Sequence, residues 1–507
     1  MTAKITKKQV QNDFNKLKGW AKEYFSKEDY SQSLCMIETA SKLMYTFNLV
    51  YTDDDMEKML TDIAFKVVNN KPQKIKKSKN KKIVFYDYFA IDNRGLTQQY
   101  INALIDLQYE ILFITYDDPN KTKSERIFMQ LNEYKKAKIH SIKNKNYIEA
   151  ANELFNVVNE YGASTVLLHT APWDVTGILT WSLFEEVEKY LINLTDHAFW
   201  LGKCCSDYIL EFRSYGYNIS RYYRNIPDNK LILLPYYPIQ DNMITFEGFP
   251  FDAKGKKIIF SGGALYKVYG SNVFFNTIKY IVTKHKDTIL LYAGSGNTKP
   301  FRDFIKINKL EDKVYLISER KDIAYIFKNC YFYLGTYPIS GGLMTQYAVA
   351  NKKIPLAYTD PILKCNLIES LFINTDNIQL THTNLKDYYI TIDKLLCDSD
   401  YKNTLEEKMD NLLITPKEFA NSLSNCLQYK STDFSFDKFD INIDVLSKLY
   451  FQMENNYLHE YYLMFIKSKN IRLLLHFKKN FIFGTWYLSK EKIRKMNLLF
   501  AKYFVRG

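Results

Sequence analysis

The sequence predicts an α/β protein with two parallel-sheet domains in tandem, a helical N-terminal extension and C-terminal helices. Two observations lead to this fold class. Short apolar runs alternate with helical stretches in two series, and such alternation is typical of βαβ units. The length of 507 residues also exceeds that of one domain, because domains average about 150 residues. We divide the chain into an extension at 1–70, a basic linker at 71–82, sheet domains at 83–240 and 241–430, and basic C-terminal helices at 431–507.

The first 70 residues are predicted to be helical. Apolar residues recur at helical spacing from Phe14 to Phe25 and again from Tyr30 to Met44. The acidic run at 53–55 precedes a third apolar helix and is more typical of a helix cap than of a metal site. Because the segment is too short for a solenoid of helical repeats, we expect it to brace or dock the domains that follow.

The first series predicts a Rossmann-like sheet. Its strands are predicted at 83–89, 110–115, 165–169, 190–194, 207–210 and 231–235, and its helices at 96–107, 147–160 and 176–188. His169 ends one strand, and Asp196 and His197 follow the next, at the edge where open parallel sheets bind ligands. Such side chains can take a proton from a substrate hydroxyl, whereas a structural hydrogen bond is the alternative. Arg94 and Gly95, after the first strand, either face the same cleft or are solvated.

The second series predicts another Rossmann-like sheet. Its strands are predicted at 258–260, 289–293, 314–317, 331–335 and 355–358, and its helices at 271–284, 299–308, 322–328 and 343–350. Eight of the 18 glycines of the chain lie between residues 262 and 342. A chain that concentrates glycine in one place is expected to need close backbone approach to a ligand there. Helices predicted at 384–428 and 442–507 complete the chain.

Two glycine turns follow the first two strands of the second series. Gly262 and Gly263 can direct backbone N–H groups at a phosphate, with Lys267 nearby as a countercharge. The same argument applies to Gly294 and Gly296 after the next strand. Ordinary turn glycines are the alternative at both places.

A third turn opens a predicted helix. Ser340, Gly341 and Gly342 precede a helix that runs through Gln346, so the helix N-terminus offers unpaired donors and positive potential to an anion. Arg320 follows another strand at the same edge and can contact a nucleotide base or phosphate, or lie on the surface. These turns together predict a pyrophosphate site.

A resemblance to a known family rests on three stretches of the second series, IIFSGGALYK, ILLYAGSGN and VYLISERKDIAYIFKNCYFYLGTYPISGGLMTQYAVANKKIPLAY. They resemble the donor-nucleotide domain of a GT-B glycosyltransferase of the bacterial nucleotide-sugar-dependent type. The first series, from IVFYDYFAIDNRGLTQQYINAL to LLPYYP, resembles the acceptor domain. The resemblance implies that the first glycine turn and Lys267 hold the donor diphosphate. It also implies that Arg320 faces the base and that Ser340, Gly341, Gly342 and Gln346 grip sugar and phosphates.

The resemblance implies transfer of a hexosyl or N-acetylhexosaminyl group from a nucleotide diphosphate sugar, with UDP as the expected nucleotide. The acceptor would be a hydroxyl of a saccharide, a lipid-linked saccharide or a protein. The family generally works without a bound cation, which implies no metal and no cofactor beyond the co-substrate. Many retaining members carry a Glu pair where Tyr337 or Pro338 and Gln346 stand here, so an inverting outcome is equally open. A non-catalytic GT-B-like partner subunit that binds glycans or proteins, and a GT-B-like nucleotide-sugar epimerase, are the alternative functions.

The distribution of charge indicates which partners the protein can bind, and the cysteine content indicates its cellular compartment. The net charge of +13 is concentrated in two segments, with seven lysines at 71–82 and eleven Lys or Arg against two acids at 458–507. Because apolar and aromatic residues accompany the second segment, it can bind an anionic membrane face, and a solvated charged surface is an equal alternative. No accompanying motif indicates that the protein binds nucleic acid.

Seven cysteines form neither a disulfide framework nor a zinc pattern. No apolar run or signal sequence directs the chain into a membrane. We therefore expect a cytoplasmic protein, free or peripheral on the inner face of the membrane.

Overall fold

Two parallel sheets organise the chain and confirm the predicted α/β fold with two tandem Rossmann-like domains. The computed structural model describes residues 5–68, 81–93, 96–116, 123–240, 244–457, 459–467, 470–489 and 492. The predicted sites at Arg94 and Gly95, most of the basic linker and most of the charged end of the tail lie outside these residues. In the described part of the chain, no helix is long and apolar enough to cross a membrane.

The first sheet has seven parallel strands in the order β3-β2-β1-β4-β5-β6-β7. Its strands are β1 Lys82–Asp87, β2 Glu110–Thr115, β3 Ala137–Ser141, β4 Thr165–His169, β5 Glu188–Ile192, β6 Tyr208–Glu211 and β7 Leu231–Leu233. Its helices are α4 Thr97–Asp106, α5 Glu125–Glu133, α6 Tyr147–Tyr161, α7 Val175–Trp181 and α8 Ser214–Tyr223. Val84 and Tyr86 enter one core cluster while Ile83 and Phe85 enter another. Because both faces of the sheet are covered, its central strands are continuous apolar runs.

The second sheet has six parallel strands in the order β10-β9-β8-β11-β12-β13. Its strands are β8 Lys257–Gly262, β9 Thr288–Ala293, β10 Val314–Ile317, β11 Phe332–Leu334, β12 Pro355–Tyr358 and β13 Thr381–His382. Its helices are α9 Val273–Lys284, α10 Lys299–Ile307, α11 Ile323–Asn329, α12 Gly342–Ala350, α13 Leu385–Cys397, α14 Ser399–Glu407 and α15 Pro416–Tyr429. The order changes direction at β8, so the loops after β8 and β11 flank the topological switch point where ligands bind.

Helices at both ends of the chain pack on the first domain. The N-terminal helices are α1 Lys7–Ser26, α2 Tyr30–Phe47 and α3 Asp54–Val67, and the C-terminal ones are α16 Ile443–Tyr457, α17 His459–Lys467, α18 Ile471–His476 and the helical residues 478–489. They share one apolar cluster with a face of the first sheet. Helix α15 crosses back from the second domain and packs on α4 of the first. Asp53 caps α3 by accepting from the Met56 amide, which is the helix-cap role predicted for the acidic run.

Several elements differ from the sequence prediction. Strand β3 and helices α5 and α8 were not predicted, because their apolar residues are interrupted by charged or polar ones. The helix predicted at 176–188 ends at Trp181, and β5 begins at Glu188. The helix predicted at 384–428 is divided into α13, α14 and α15, since Asp398 caps α14 and Pro416 starts α15 in a capping box formed by Thr415 and Glu418.

Candidate active site

The positively charged ammonium of Lys267 has no acidic partner among the residues that the structure describes. The chain leaves β8 through Gly263, whose φ of +132° favours glycine, and enters a 3-10 turn at Leu265–Val268 that holds Lys267. Among the described residues, the Lys267 ammonium makes no hydrogen bond or ion pair, and burial is the one cause of its pKa shift. Burial lowers the pKa of Lys267 to about 8. A partly desolvated ammonium without a counterion is a binding feature for an anion.

The N-terminus of α12 lies beside that ammonium. Gly341 is the N-cap and provides no side-chain cap, and the first helical hydrogen bond runs from the Thr345 amide to the Gly341 carbonyl. In the described structure, the amides of Gly342, Leu343 and Met344 therefore have no acceptor. A β-carbon added to Gly341 would lie 3.8 Å from Lys267 Nζ. The Lys267 ammonium and the positive end of the α12 dipole therefore lie beside the same space, and such an arrangement binds phosphate.

The carbonyl oxygens of the first glycine turn are bonded to buried tyrosines. Tyr333 donates to the Gly262 carbonyl at 3.3 Å, and Tyr292 donates to the Gly263 carbonyl at 3.2 Å. The Gly263 amide donates to the Ala293 carbonyl at 3.0 Å. The prediction that this amide points at a phosphate is therefore wrong in this structure. Gly263 instead leaves room, since an added β-carbon would meet only Lys267 Cδ, at 3.9 Å, within contact range.

The second glycine turn serves packing between two loops. A β-carbon on Gly294 would lie 2.1 Å from the Gly263 carbonyl oxygen, so only glycine lets the two loops touch. The Leu265 amide also donates to the Ser295 carbonyl, and Gly296 has a φ of +123°. These contacts account for both glycines without a ligand, so we do not assign Gly294 and Gly296 to the donor.

Arg320 and Gln346 are bonded within the protein. Arg320 pairs with both carboxylate oxygens of Asp322 and donates to the Gly248 carbonyl, and the Asp322 hydrogen bonds raise the pKa of Arg320. Gln346 is buried behind the turn, where its amide group donates to the carbonyls of Tyr236 and Leu371. Neither geometry leaves the side chain free for a nucleotide, so we do not assign either residue to the donor.

Asn366 shapes the turn that precedes α12. Its Oδ1 accepts from the Ser340 amide at 3.0 Å, and its Nδ2 donates to the Pro338 carbonyl at 2.5 Å. The residue is buried, so both bonds are shielded from water. Asn366 therefore holds Ser340 and the two glycines in register with Lys267.

The first domain presents a linked set of His197, Asp196 and Arg213. His197 Nδ1 lies 3.1 Å from Asp196 Oδ1, and Arg213 Nε donates to Asp196 Oδ2 at 2.5 Å. Burial alone would raise the pKa of the Asp196 carboxyl, but the Arg213 charge and the hydrogen bonds from His197 and Arg213 hold it well below its usual range. Asp196 is thus a permanent anion that orients the His197 ring, rather than a proton acceptor itself. The His197 side chain is 41% exposed, and its Nε2 has no described partner.

Buried polar residues fix the loop that carries His197. Arg224 is fully buried, donates to the Asp196 and Ala198 carbonyls at 3.2 Å and 2.6 Å, and stacks on Trp200. Burial lowers the pKa of the Arg224 guanidinium to about 10, and burial raises the pKa of the neighbouring Glu211 to about 7. Asn48, the C-cap of α2, donates to the His197 carbonyl at 3.0 Å. The N-terminal extension therefore contacts the candidate catalytic loop directly.

His169 forms a similar pair in a different environment. Its Nδ1 lies 3.1 Å from Asp87 Oδ1, at the ends of β4 and β1, and Asp87 also accepts from the Phe89 and Ala90 amides and from the Thr97 hydroxyl. Only 1% of the His169 side chain is exposed, and its Nε2 is enclosed without a partner. This geometry favours the structural alternative for His169.

Helix α16 contacts both the loop that carries His197 in the first domain and the loop that carries Lys267 in the second. The Tyr450 ring stacks on His197 with centroids 6.3 Å apart, and its hydroxyl donates to the His197 carbonyl at 3.4 Å. One residue earlier, Leu449 lies near Gly270, at the end of the Lys267 loop. Tyr266 and Ile339, which flank the anion site, belong to the same apolar cluster as Leu449 and Tyr450. The loops from the two domains therefore meet along one helix.

Sequence reasoning missed Arg213, Arg224, Asn366 and Tyr450. Arg213 could have been found, because it follows β6 just as His197 follows β5. The other three lie far along the chain from the loops they hold, and no local pattern indicates them. Among the described residues, no group of three His, Cys, Asp or Glu side chains could hold a metal ion.

Comparisons with known proteins agree with this architecture. No protein-family model and no curated protein matches the sequence. Among solved structures, a glycosyltransferase from Rickettsia africae is similar with a TM-score of 0.51 and 13% identity, over 70% of this chain and 98% of that one. The Anabaena protein HepE, solved in complex with UDP and glucose, is similar with a TM-score of 0.50 and 10% identity, over 69% of this chain and 100% of that one. The two facing Rossmann-like domains, joined by a helix that crosses back, therefore have the GT-B fold.

Proposed function

We propose that the protein transfers a sugar from a nucleotide diphosphate sugar to a hydroxyl group of a saccharide, a lipid-linked saccharide or a protein. The observation that carries this proposal is the unbalanced Lys267 ammonium beside the uncapped N-terminus of α12. A diphosphate supplies the negative charge that both features lack. UDP is the first nucleotide to test, because the similar Anabaena structure contains it.

In this proposal the second domain stabilises the leaving group. When the bond between the anomeric carbon and the diphosphate breaks, its electron pair goes to the diphosphate oxygen. Lys267 and the amides of Gly342 and Leu343, which lie close together without partners, would donate to this developing charge. Preorganised donors of this kind are often the largest single contribution to catalysis, because they need no reorganisation during the reaction.

The first domain would supply the base. His197 Nε2 takes the proton of the acceptor hydroxyl as the acceptor oxygen bonds to the anomeric carbon. Asp196 accepts the hydrogen bond from Nδ1, which leaves Nε2 as the basic nitrogen and stabilises the imidazolium that forms. Arg213 and Arg224 keep the aspartate and its loop in place, and both act through other residues.

Binding of the donor tests the anion site directly. We expect UDP to raise the melting temperature of the wild-type protein, because a ligand that binds only the folded state stabilises it. Lys267→Met should weaken UDP binding by about 10-fold to several hundred-fold, which corresponds to a charge-assisted hydrogen bond in a desolvated site. Lys306→Met, which removes an exposed lysine on α10 of the same domain, is the matched control. Equal UDP affinity in the wild type and the Lys267→Met variant would contradict the site.

Product analysis separates the reactions that share this site. Incubation with a UDP-sugar alone would give an epimerised sugar if the protein were an epimerase. If the protein only bound glycans or proteins, the UDP-sugar would not be turned over, even with an added acceptor. Transfer to an added acceptor, with one UDP released per bond formed, is the expected result.

A further inference from the structure

The C-terminal helices expose an apolar face that the proposed reaction does not use. We define the C-terminal apolar face by Ile471, Leu474, Leu475, Ile482, Phe483 and Trp486, all of which are exposed. Ile482 is 67% exposed and Trp486 is 57% exposed. They lie four residues apart on the helix at 478–489 and so share one side of it. Large apolar side chains that are exposed at helical spacing indicate an interaction surface.

The opposite side of the same helices is fixed to the protein. Asn480 and Gly484 are buried, and a β-carbon on Gly484 would lie 2.3 Å from Ile466 of α17. Phe477 stacks on Phe465 with centroids 4.1 Å apart, and Arg472 pairs with Glu23 of α1 at 2.7 Å. The exposed side chains therefore stand on a packed support, and their exposure does not result from a detached helix.

The charges around the face identify its partner. Lys478 and Lys479 are exposed beside the apolar side chains, and residues 470–489 contain no Asp or Glu. Two copies of this face placed against each other would bring these lysines together without a counterion, which disfavours a second copy as the occupant. Apolar side chains, a tryptophan and flanking lysines on one side of a helix are the combination that binds at an anionic lipid surface.

We propose that the C-terminal apolar face docks the protein on an anionic membrane surface. Ile482, Phe483 and Trp486 enter the boundary between headgroups and acyl chains, while Lys478 and Lys479 contact the lipid phosphates. If the proposed function also holds, docking selects lipid-linked saccharides among the candidate acceptors. Docking itself needs no turnover, so the two proposals fail separately.

The test uses the full chain and vesicles of phosphatidylcholine with or without phosphatidylglycerol. We expect co-sedimentation with the vesicles that contain phosphatidylglycerol, and weaker binding as salt is added. Trp486 provides a spectroscopic signal, because it is far more exposed than Trp20, Trp181 and Trp200. Its fluorescence should shift to shorter wavelength on these vesicles, and Trp486→Phe should remove the shift.

Variants of exposed apolar residues distinguish docking through this face from general adhesion of the protein to vesicles. Ile482→Glu combined with Trp486→Glu should reduce vesicle binding at least about tenfold. Ile307→Glu, at a side chain that is 78% exposed on α10, should not. The proposal is wrong if the wild type stays in the supernatant with both vesicles, or if Ile307→Glu reduces binding equally. It is also wrong if light scattering shows a wild-type dimer that the double variant abolishes while vesicles are not bound, because a second copy then covers the face.

Discussion

Lys267 and Arg213 are both cations that follow a strand of a parallel sheet, but only Arg213 has a carboxylate partner in the described structure. Arg213 follows β6, is nearly buried, and pairs with Asp196, which also accepts from His197. Lys267 follows β8, and its ammonium faces the uncapped start of α12 instead of an acid. Arg213 is thus neutralised inside the protein, whereas Lys267 and the first amides of α12 have no partner among the described residues.

A paired buried cation such as Arg213 is typical of a structural role, whereas an unpaired one such as Lys267 is typical of a binding site. A buried charge with its partner holds neighbouring groups in fixed positions, and losing either partner destabilises the fold. A desolvated charge without a partner costs stability in the free protein, and this cost is offset only when an anion binds. The same substitution, from a cation to methionine, should therefore have opposite effects in the two domains.

The largest expected effect follows from breaking the paired cation. Arg213→Met leaves the Asp196 carboxylate buried without its partner, so the free energy of unfolding should fall by about 3–5 kcal/mol. Lys267→Met should leave the free energy of unfolding equal or higher, because it removes a cation whose pKa burial has already lowered. Urea unfolding measures both. As a control, Asp196→Asn combined with Arg213→Met should be less destabilised than the sum of the two single variants. An equal loss in Arg213→Met and Lys267→Met would remove the distinction between the two sites.

The proposed base gives the next largest effect. His197→Gln keeps a side chain of similar size at a partly exposed position, so we expect the unfolding free energy to change by less than about 0.5 kcal/mol. Turnover with donor and acceptor should fall by about 100-fold or more, because the variant lacks the proposed base. Steady-state assays at saturating donor measure this loss.

His169→Gln is the matched variant for the other histidine. It removes the hydrogen bond to Asp87 in a site that is almost fully buried, so its expected effect is on stability and not on turnover per folded molecule. A turnover loss in His169→Gln that exceeds the loss in His197→Gln would show that the base is His169 and not His197.

The sequence predicted the fold well because the two parallel sheets are encoded locally. Strands β1, β2, β8 and β9 are buried on both faces, so each is a short apolar run that stands out from its amphipathic neighbours. Strand β3 was missed because it is only partly buried and carries Lys138 and His140 among its apolar residues.

The sequence predicted those parts of the candidate site that lie in a loop just after a strand. Lys267 lies in the loop after β8 and Gly341 in the loop after β11, so both can be recognised from the apolar runs that precede them. Gly294 was misassigned because close packing of two loops and close approach to a ligand require the same residue. Asn366 and Arg224 reach their loops through the tertiary fold, so no spacing in the sequence reveals them.

A pair of glycine substitutions gives a smaller effect that tests the anion site without removing a charge. Gly341 has a φ of −97°, and an added β-carbon would have no neighbour closer than 3.6 Å, so Gly341→Ala should fold normally. The new methyl group would lie beside Lys267 Nζ and should weaken UDP binding by roughly tenfold. Gly294→Ala should show the reverse pattern, since its β-carbon would collide with a backbone oxygen and destabilise the domain. Calorimetry for UDP affinity and thermal unfolding for stability separate the two outcomes.

The smallest effect is a pH dependence that only the unpaired cation should produce. Burial lowers the pKa of Lys267 to about 8, so in the free protein its charge is present below that pH and is lost above it. A bound diphosphate favours the charged form, so UDP affinity should be nearly constant near pH 7 and fall by up to about tenfold per pH unit above pH 8. The second ionisation of a phosphate lies near pH 6, so the charge of the diphosphate group is constant over this range. Lys267→Arg keeps its charge throughout, because the pKa of arginine is above about 12, and its affinity should not change with pH. Calorimetric titrations of both proteins from about pH 7 to pH 9 test this difference, since an identical fall in the two would show that another group titrates and that Lys267 is not the cation that meets the diphosphate.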